Sequence, residues 1–410
     1  MKKILLLGVL ASSAVAFAED VNISSDTSFI ALDDSTYTIT ADGIVMSNSA
    51  PQRHLTSSTV FDIGGHTGIV YTNPTEPAGA KFGFNGVIFK GNGGSLTVGN
   101  YTDRTGSEVV SKEILIIQGF TVDGITLNFN MPTNTSFNTA YTHTMTVQNN
   151  GVLNWNSVNP ADYKLKFDVK QGSELNAAFA TKGYFVGGTF AGKFRIGSAD
   201  KNPSNFTLIN STISNQTAAN QSFLYNKLRV SGSLVVSNSE AGSVKMNRDE
   251  MVLTDSAKLT LDSSNVFTYG ANGQKAMKLL VDTGAVASLV LNADNDFAKL
   301  ETLNNVSVVN ITLKGNKLNL GEIANAGKIF FEDFQENLVK VDTIDSSLLS
   351  ADGSVKNVFA GVSSDEASAK QLYWNKDTGF LSVSAIPEPA TYAALLGGLA
   401  ILLAFVKRRR

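Results

Sequence analysis

The chain has 410 residues, with 35 glycines, 8 prolines and no cysteine, and its charged residues amount to 17%, below the usual ~25%. Disulfides and thiolate metal sites are therefore excluded. The formal net charge of −3 understates an acidic body, because basic residues gather at the two ends, and such a body is not built to hold nucleic acid by charge.

In chain order, Lys2 and Lys3 precede an uncharged apolar stretch from Ile4 to Val15, then Ala16-Phe17-Ala18 and the acidic pair Glu19 and Asp20. A basic start, an apolar run too short to span a bilayer and small residues at the cleavage positions make residues 1–18 a secretory signal peptide. Cleavage is expected after Ala18, with Ala16 and Ala18 filling the two small-residue positions. The Sec machinery and signal peptidase are the partners this implies.

Residues 19–385 form the β-rich extracytoplasmic body. Short alternating or apolar runs recur between Gly, Asn, Asp and Ser: Lys81 to Phe84, Glu113 to Gln118, Ile125 to Asn130, Tyr163 to Val169, Lys227 to Val236, Met251 to Thr254, Lys258 to Asp262, Val306 to Leu313 and Lys328 to Phe331. Such runs read as strands. Turn signals follow many of them, as at Gly91-Asn92-Gly93-Gly94, Asn149-Asn150-Gly151 and Asp352-Gly353. Asn375 to Gly379 is expected to join Leu372-Tyr373-Trp374 to Phe380-Leu381-Ser382-Val383 as a hairpin that closes the body. The best helical stretch, Asp365 to Leu372, is short and weak.

The fold class is all-β, with two architectures open: an elongated parallel β-helix or β-solenoid, or an array of β-sandwiches. A drifting repeat at Asn205 to Ile213, Asn226 to Val236 and Val252 to Leu261 favours the former. In texture the body resembles autotransporter passengers, without a shared motif.

Chemistry-bearing motifs are sparse. The three histidines, His54, His66 and His143, form no i, i+4 pair of the helical zinc type. Asp62 and His66 flank Gly64-Gly65 and would share a ligand only if that turn folds back, so surface turn residues are expected. Leu279 to Ala285 resembles the strand end of an aspartic protease, with Asp282-Thr283-Gly284 as its carboxylate motif and a second Asp-Thr-Gly at Asp377. Two carboxylates sharing a proton would make the acid–base dyad. The polar Asn375-Lys376 before Asp377 departs from the apolar strand that the family has there. No enzyme activity, metal or cofactor is expected. Asn-x-Ser/Thr sites at Asn205, Asn210, Asn215, Asn220, Asn305 and Asn310 are read as composition rather than glycosylation.

The end of the chain is more specific. Pro387-Glu388-Pro389 cannot continue a helix backwards, since each proline fixes φ and lacks a backbone donor. Ala390 to Val406 follows without a charge, about 17 residues or roughly 25 Å as a helix, near the short limit for spanning a bilayer. Lys407, Arg408, Arg409 and Arg410 then form a basic stop that the positive-inside rule keeps in the cytoplasm. The tripeptide, the Gly397-Gly398-bearing apolar run and the basic cluster, in this order over 386–410, together resemble the PEP-CTERM sorting signal. That resemblance implies a single transmembrane helix, processing by an exosortase that recognises Pro387, Glu388 and Pro389, and a Gram-negative host that makes exopolysaccharide. The expected function is that of a noncatalytic adhesion, scaffold or exopolysaccharide-associated protein, held transiently at the inner membrane and then displayed at the cell surface or in the matrix. A polysaccharide-active enzyme and an uncleaved membrane anchor are the alternatives.

Overall fold

The computed structural model describes residues 20–29, 35–48, 53–73, 82–111, 114–130, 136–137, 141–157, 164–179, 183–196, 206–219, 222–224, 228–269 and 275–384. The expected signal peptide (1–18, with Ala16 and Ala18) and the expected sorting segment (386–410, with Pro387, Glu388, Pro389 and Lys407 to Arg410) lie outside these residues. Among the described residues no helix is long and apolar enough to cross a membrane. The chain divides into two compact units, Met1–Asn138 and Thr139–Arg410.

In the first unit, alternation of apolar and polar residues produces strands that pair almost entirely in parallel. One ladder runs Asp20–Ile23, Thr36–Ile39, Val60–Asp62, Phe82–Lys90 and Ile114–Asp123. The other runs Thr27–Phe29, Ile44–Asn48, Thr67–Thr72, Ser95–Gly99 and Thr126–Asn130. Each turn of chain thus adds one strand to each ladder, and residues roughly 15–35 positions apart become neighbours, a spacing close to that of solenoid repeats. Parallel register also stacks like on like. Tyr37, Phe61 and Phe89 occupy equivalent positions, and their rings stack with centroids 5.0 and 5.5 Å apart and planes about 20° from parallel.

Close approach of successive turns explains the glycine cluster. A Cβ at Gly94 would press on the backbone oxygen of His66 and on the Ile63 side chain. Gly91-Asn92-Gly93-Gly94 can therefore sit directly on the Ile63 to His66 turn, with the Asn92 N–H donating to the Gly64 carbonyl at 2.6 Å.

The second unit follows the same rule. The segments read as a drifting repeat are successive layers of one ladder: Phe206–Ser214 pairs with Leu228–Ser237, which pairs with Glu250–Leu253 and Lys258–Leu261. A second ladder comprises Val152–Ser157, Glu174–Phe179, Lys193–Ile196, Ser222–Leu224, Val244–Met246 and Phe267–Tyr269. The chain of the first of these ladders, which also takes in Gly183–Val186 and Thr189–Phe190, bends at a common corner, where Gly187, Asn210, Gly232 and Asp255 all take positive φ. Glycine, asparagine and aspartate tolerate that conformation best. Asn210 also serves the neighbouring layer, its Oδ1 accepting from the Ser233 N–H at 2.9 Å.

The expected closing hairpin is present: Lys370–Trp374 pairs antiparallel with Leu381–Ser382, and also antiparallel with Ser354–Ala360. The short, weak helical stretch Asp365 to Leu372 forms no α-helix: Ser363–Ser368 is a kinked 3-10 segment and Lys370–Trp374 is already strand. The stretch has no apolar stripe able to pay for a helix, whereas Leu372 fills a strand position that is fully buried. The all-β class and extensive parallel pairing are consistent with a β-solenoid.

Candidate functional site

The residues singled out in the sequence are held apart. Asp62 accepts from the Gly64 N–H at 3.1 Å and meets Lys90 Nζ at 3.3 Å. His66 Nδ1 lies instead 3.4 Å from Asp42 Oδ1. The turn does not bring Asp62 and His66 onto one ligand, and no cluster of three or more His, Asp or Glu suited to a metal occurs among the described residues. His143 is fully buried on its strand.

Asp282 follows the strand Lys278–Val281, but its carboxylate is paired with the Arg229 guanidinium two layers away, across the strand Glu250–Leu253, and caps its own turn through the Thr283 N–H at 2.9 Å. Asp377 sits in the closing hairpin, its N–H donating to Asn375 Oδ1 at 2.9 Å. Each Asp-Thr-Gly is thus accounted for as a turn. Three of the Asn-x-Ser/Thr asparagines likewise have partners on other layers: Asn210 Oδ1 as above, Asn215 Oδ1 accepting from Asn238 Nδ2 at 2.5 Å, and Asn310 Oδ1 accepting from the Ser363 N–H at 3.3 Å.

Another convergence of side chains lies in the first unit. Between the strands Ser95–Gly99 and Ile114–Asp123 the chain leaves the ladders as a small antiparallel hairpin, Tyr101–Thr102 against Glu108–Val109. Its base is fastened by polar bonds. Ser111 N–H donates to Asn100 Oδ1 at 3.0 Å, Asn130 Nδ2 donates to the Asn100 carbonyl at 2.9 Å, and the Thr72 N–H donates to Ser111 Oγ at 3.0 Å. At the tip, Asp103 Oδ1 accepts from the Thr105 N–H, the Thr105 hydroxyl and the Ser107 N–H at 2.8, 2.6 and 2.9 Å.

These bonds, the Thr105 hydroxyl first, hold the Asp103 carboxyl below its ordinary 3.8. A lowered carboxylate stabilises the folded form above its ordinary value and loses that contribution only as pH falls through the lowered one. The hairpin tip is therefore in its fully bonded state throughout the neutral range.

The hairpin, Asp26 and the outer face of one ladder enclose a cleft of about 410 Å³. Val45 and Ile69, register neighbours on adjacent strands, supply an apolar floor, and Tyr101, Thr102, Asp103, Arg104 and Thr105 supply the wall and rim. Tyr101 packs on Tyr71 with ring centroids 5.1 Å apart. Burial first, then Tyr71, push the Tyr101 phenol up to about 12. Arg104 Nη2 reaches across to Asp26 Oδ1 at 3.2 Å and to the Gly43 carbonyl at 3.0 Å. Asp26 is itself fixed by accepting from the Val45 N–H at 3.0 Å.

Sequence reasoning missed this cleft. Asp103 to Gly106 followed by Ser107 is a legible turn, and Asp103, Arg104 and Glu108 form a local charge cluster in a chain poor in charge. Asp26 could not have been associated with them, because only the stacking of layers brings it to Arg104.

The second unit carries a shallower polar groove of about 590 Å³, lined by corner residues of successive layers including Asn215, Gln216, Asn238, Ser239, Asp262 and Ser263. Its side chains largely serve the fold. Gln216 Nε2 contacts the carbonyls of Phe190, Gly192 and Ser214 at 3.1, 2.9 and 2.9 Å, and Asp262 accepts from Asn292 Nδ2.

No protein-family model matches the chain, and no curated protein or solved structure matches it.

Proposed function

We propose that this is an exported envelope protein whose body is a β-solenoid. In this reading a signal peptide over 1–18 leads it through the Sec pathway, and the 386–410 segment holds it at the inner membrane until an exosortase acts near Pro387. The body then serves a noncatalytic adhesive or scaffolding role at the surface or in an exopolysaccharide matrix. The observation that carries the reading is the ordered C-terminal set: a helix-refusing Pro387-Glu388-Pro389, an uncharged run from Ala390 to Val406, and Lys407, Arg408, Arg409 and Arg410.

The physical logic is consistent along the chain. Both basic ends stay inside under the positive-inside rule, which puts everything between them outside. Without cysteine, an exported body must resist unfolding by packing and pairing. Parallel ladders stacked layer upon layer, with aromatic and amide side chains in register, provide that resistance.

The test is Glu388→Ala expressed in an exosortase-bearing host. The unaltered protein is expected in the surface and medium fractions, and the variant is expected to accumulate in the inner membrane. Equal release of both would overturn recognition at this tripeptide.

A further inference from the structure

We propose that the cleft beneath the Tyr101–Val109 hairpin is a binding site for a neutral saccharide. The proposal deepens the reading above and rests on it only for the claim that this face meets extracellular glycan.

Four features of the cleft point to that ligand class. The first is size, since about 410 Å³ falls within the roughly 300–1,000 Å³ of small-molecule sites. The second is a lining divided into an aliphatic floor, Val45 and Ile69, and an aromatic wall, Tyr101 supported by Tyr71. A pyranose ring presents C–H faces to such surfaces and hydroxyls around its edge.

The third is the rim, which mixes acceptors and donors. Asp26 and Asp103 carry carboxylates, Thr102 and Thr105 hydroxyls, and Arg104 a guanidinium whose Nη2 is committed to Asp26 and Gly43. The remaining Arg104 N–H groups make no hydrogen bond among the described residues, so the bond to Asp26 orients a donor fork that is still available. Preorganised polar groups of this sort bind at lower entropic cost than free side chains.

The fourth is charge. Two carboxylates stand against one arginine, which is already paired with Asp26, so a uronate or phosphate would meet net repulsion. Nucleic acid is disfavoured on the same ground. A peptide adding itself as a strand is disfavoured too, because Ile44–Asn48 and Thr67–Thr72 are each paired on both sides and offer no free edge.

The experiment is affinity electrophoresis of the full processed protein in gels containing dextran, mannan or xyloglucan, with polygalacturonate as the acidic counterpart. At least one neutral polymer is expected to retard the protein, and polygalacturonate is not. Tyr101→Ala is expected to weaken retardation about tenfold, in line with losing an aromatic contact, while Tyr101→Phe keeps the ring and most of the binding. Thr102→Trp fills the cleft from an exposed rim position without removing a side-chain bond, and is expected to abolish retardation with an unchanged unfolding midpoint. Tyr141→Ala, an exposed tyrosine of the second unit, serves as the control and is expected to change nothing.

Retardation by neutral polymer that survives both Tyr101→Ala and Thr102→Trp would overturn the site while leaving polysaccharide association standing. Stronger retardation by polygalacturonate would overturn the ligand class. A correctly exported and trimmed protein that no neutral polymer retards would overturn the site without touching the export route.

Discussion

Replacing Phe84 with alanine is expected to destabilise the first unit by about 3–5 kcal/mol, the range for emptying a fully buried aromatic site. Phe84 has no exposed surface and stands where three other rings meet, with centroids 5.5 Å from Phe89, 6.2 Å from Phe120 and 6.1 Å from Phe129. Its strand, Phe82–Lys90, is flanked by Arg53–Thr56 and Val60–Asp62 on one side and by Ile114–Asp123 on the other. Neighbouring layers are thus fixed by backbone bonds and cannot collapse into the void, which favours the upper part of the range. Domains are typically stable by only about 5–15 kcal/mol, so the variant should lose a large share of its margin. Urea titration of the unaltered and Phe84→Ala proteins checks this, with Val306→Ala, at a position 60% exposed, as a near-neutral control. A loss under about 1 kcal/mol would show that the rings do not form the first unit's core.

The second large effect concerns the closing hairpin. Leu372 and Leu381 are fully buried, Trp374 Nε1 donates to the Val341 carbonyl at 2.9 Å, and the Val383 N–H donates to Glu336 Oε1 at 3.0 Å. The hairpin lies antiparallel along Ser354–Ala360, whose other neighbour is Lys328–Phe331. A stack of parallel layers ends in unpaired backbone groups unless something covers them, and uncovered edges recruit other chains. Leu372→Asp places a carboxylate at a fully buried apolar position, a penalty of several kcal/mol, and is expected to release the hairpin and expose that edge. Light scattering after size-exclusion chromatography should show self-association for Leu372→Asp and none for Leu372→Met. A monomeric Leu372→Asp protein with an unchanged unfolding midpoint would contradict the capping role.

Much of the fold was legible because the strand signal is local. Thr126–Asn130, Lys164–Val169 and Lys328–Phe331 lie where period-two or apolar runs bounded by turn residues put them. The closing hairpin was legible for the same reason, its Asn375 to Gly379 turn being short and rich in turn formers. The repeat through Asn205, Asn226 and Val252 could be seen but not measured, since insertions between layers change the spacing while the register is kept by backbone pairing. The corner at Gly187, Asn210, Gly232 and Asp255 was illegible, because residues of different type adopt the same positive φ.

Function divides along the same line. Asp282-Thr283-Gly284 reads as a protease motif only while its neighbours are unknown; Arg229, remote in sequence, claims the carboxylate. The Tyr101 to Glu108 segment carries a turn signal, but its cleft exists only because layer stacking brings Asp26, Val45 and Ile69 beneath it. The sorting signal proposed for 386–410 would be the opposite case, a linear element whose chemistry is complete in its own residues.

The central proposal, export followed by trimming at the C-terminal signal, is tested most directly by mass spectrometry of both termini of the protein recovered from inner-membrane, surface and medium fractions of its native host. The account predicts a chain that begins at Glu19 and ends near Pro387 in the surface or medium fraction. A chain confined to the inner membrane and still ending in Arg410 would contradict it, and would make Ala390 to Val406 a permanent anchor.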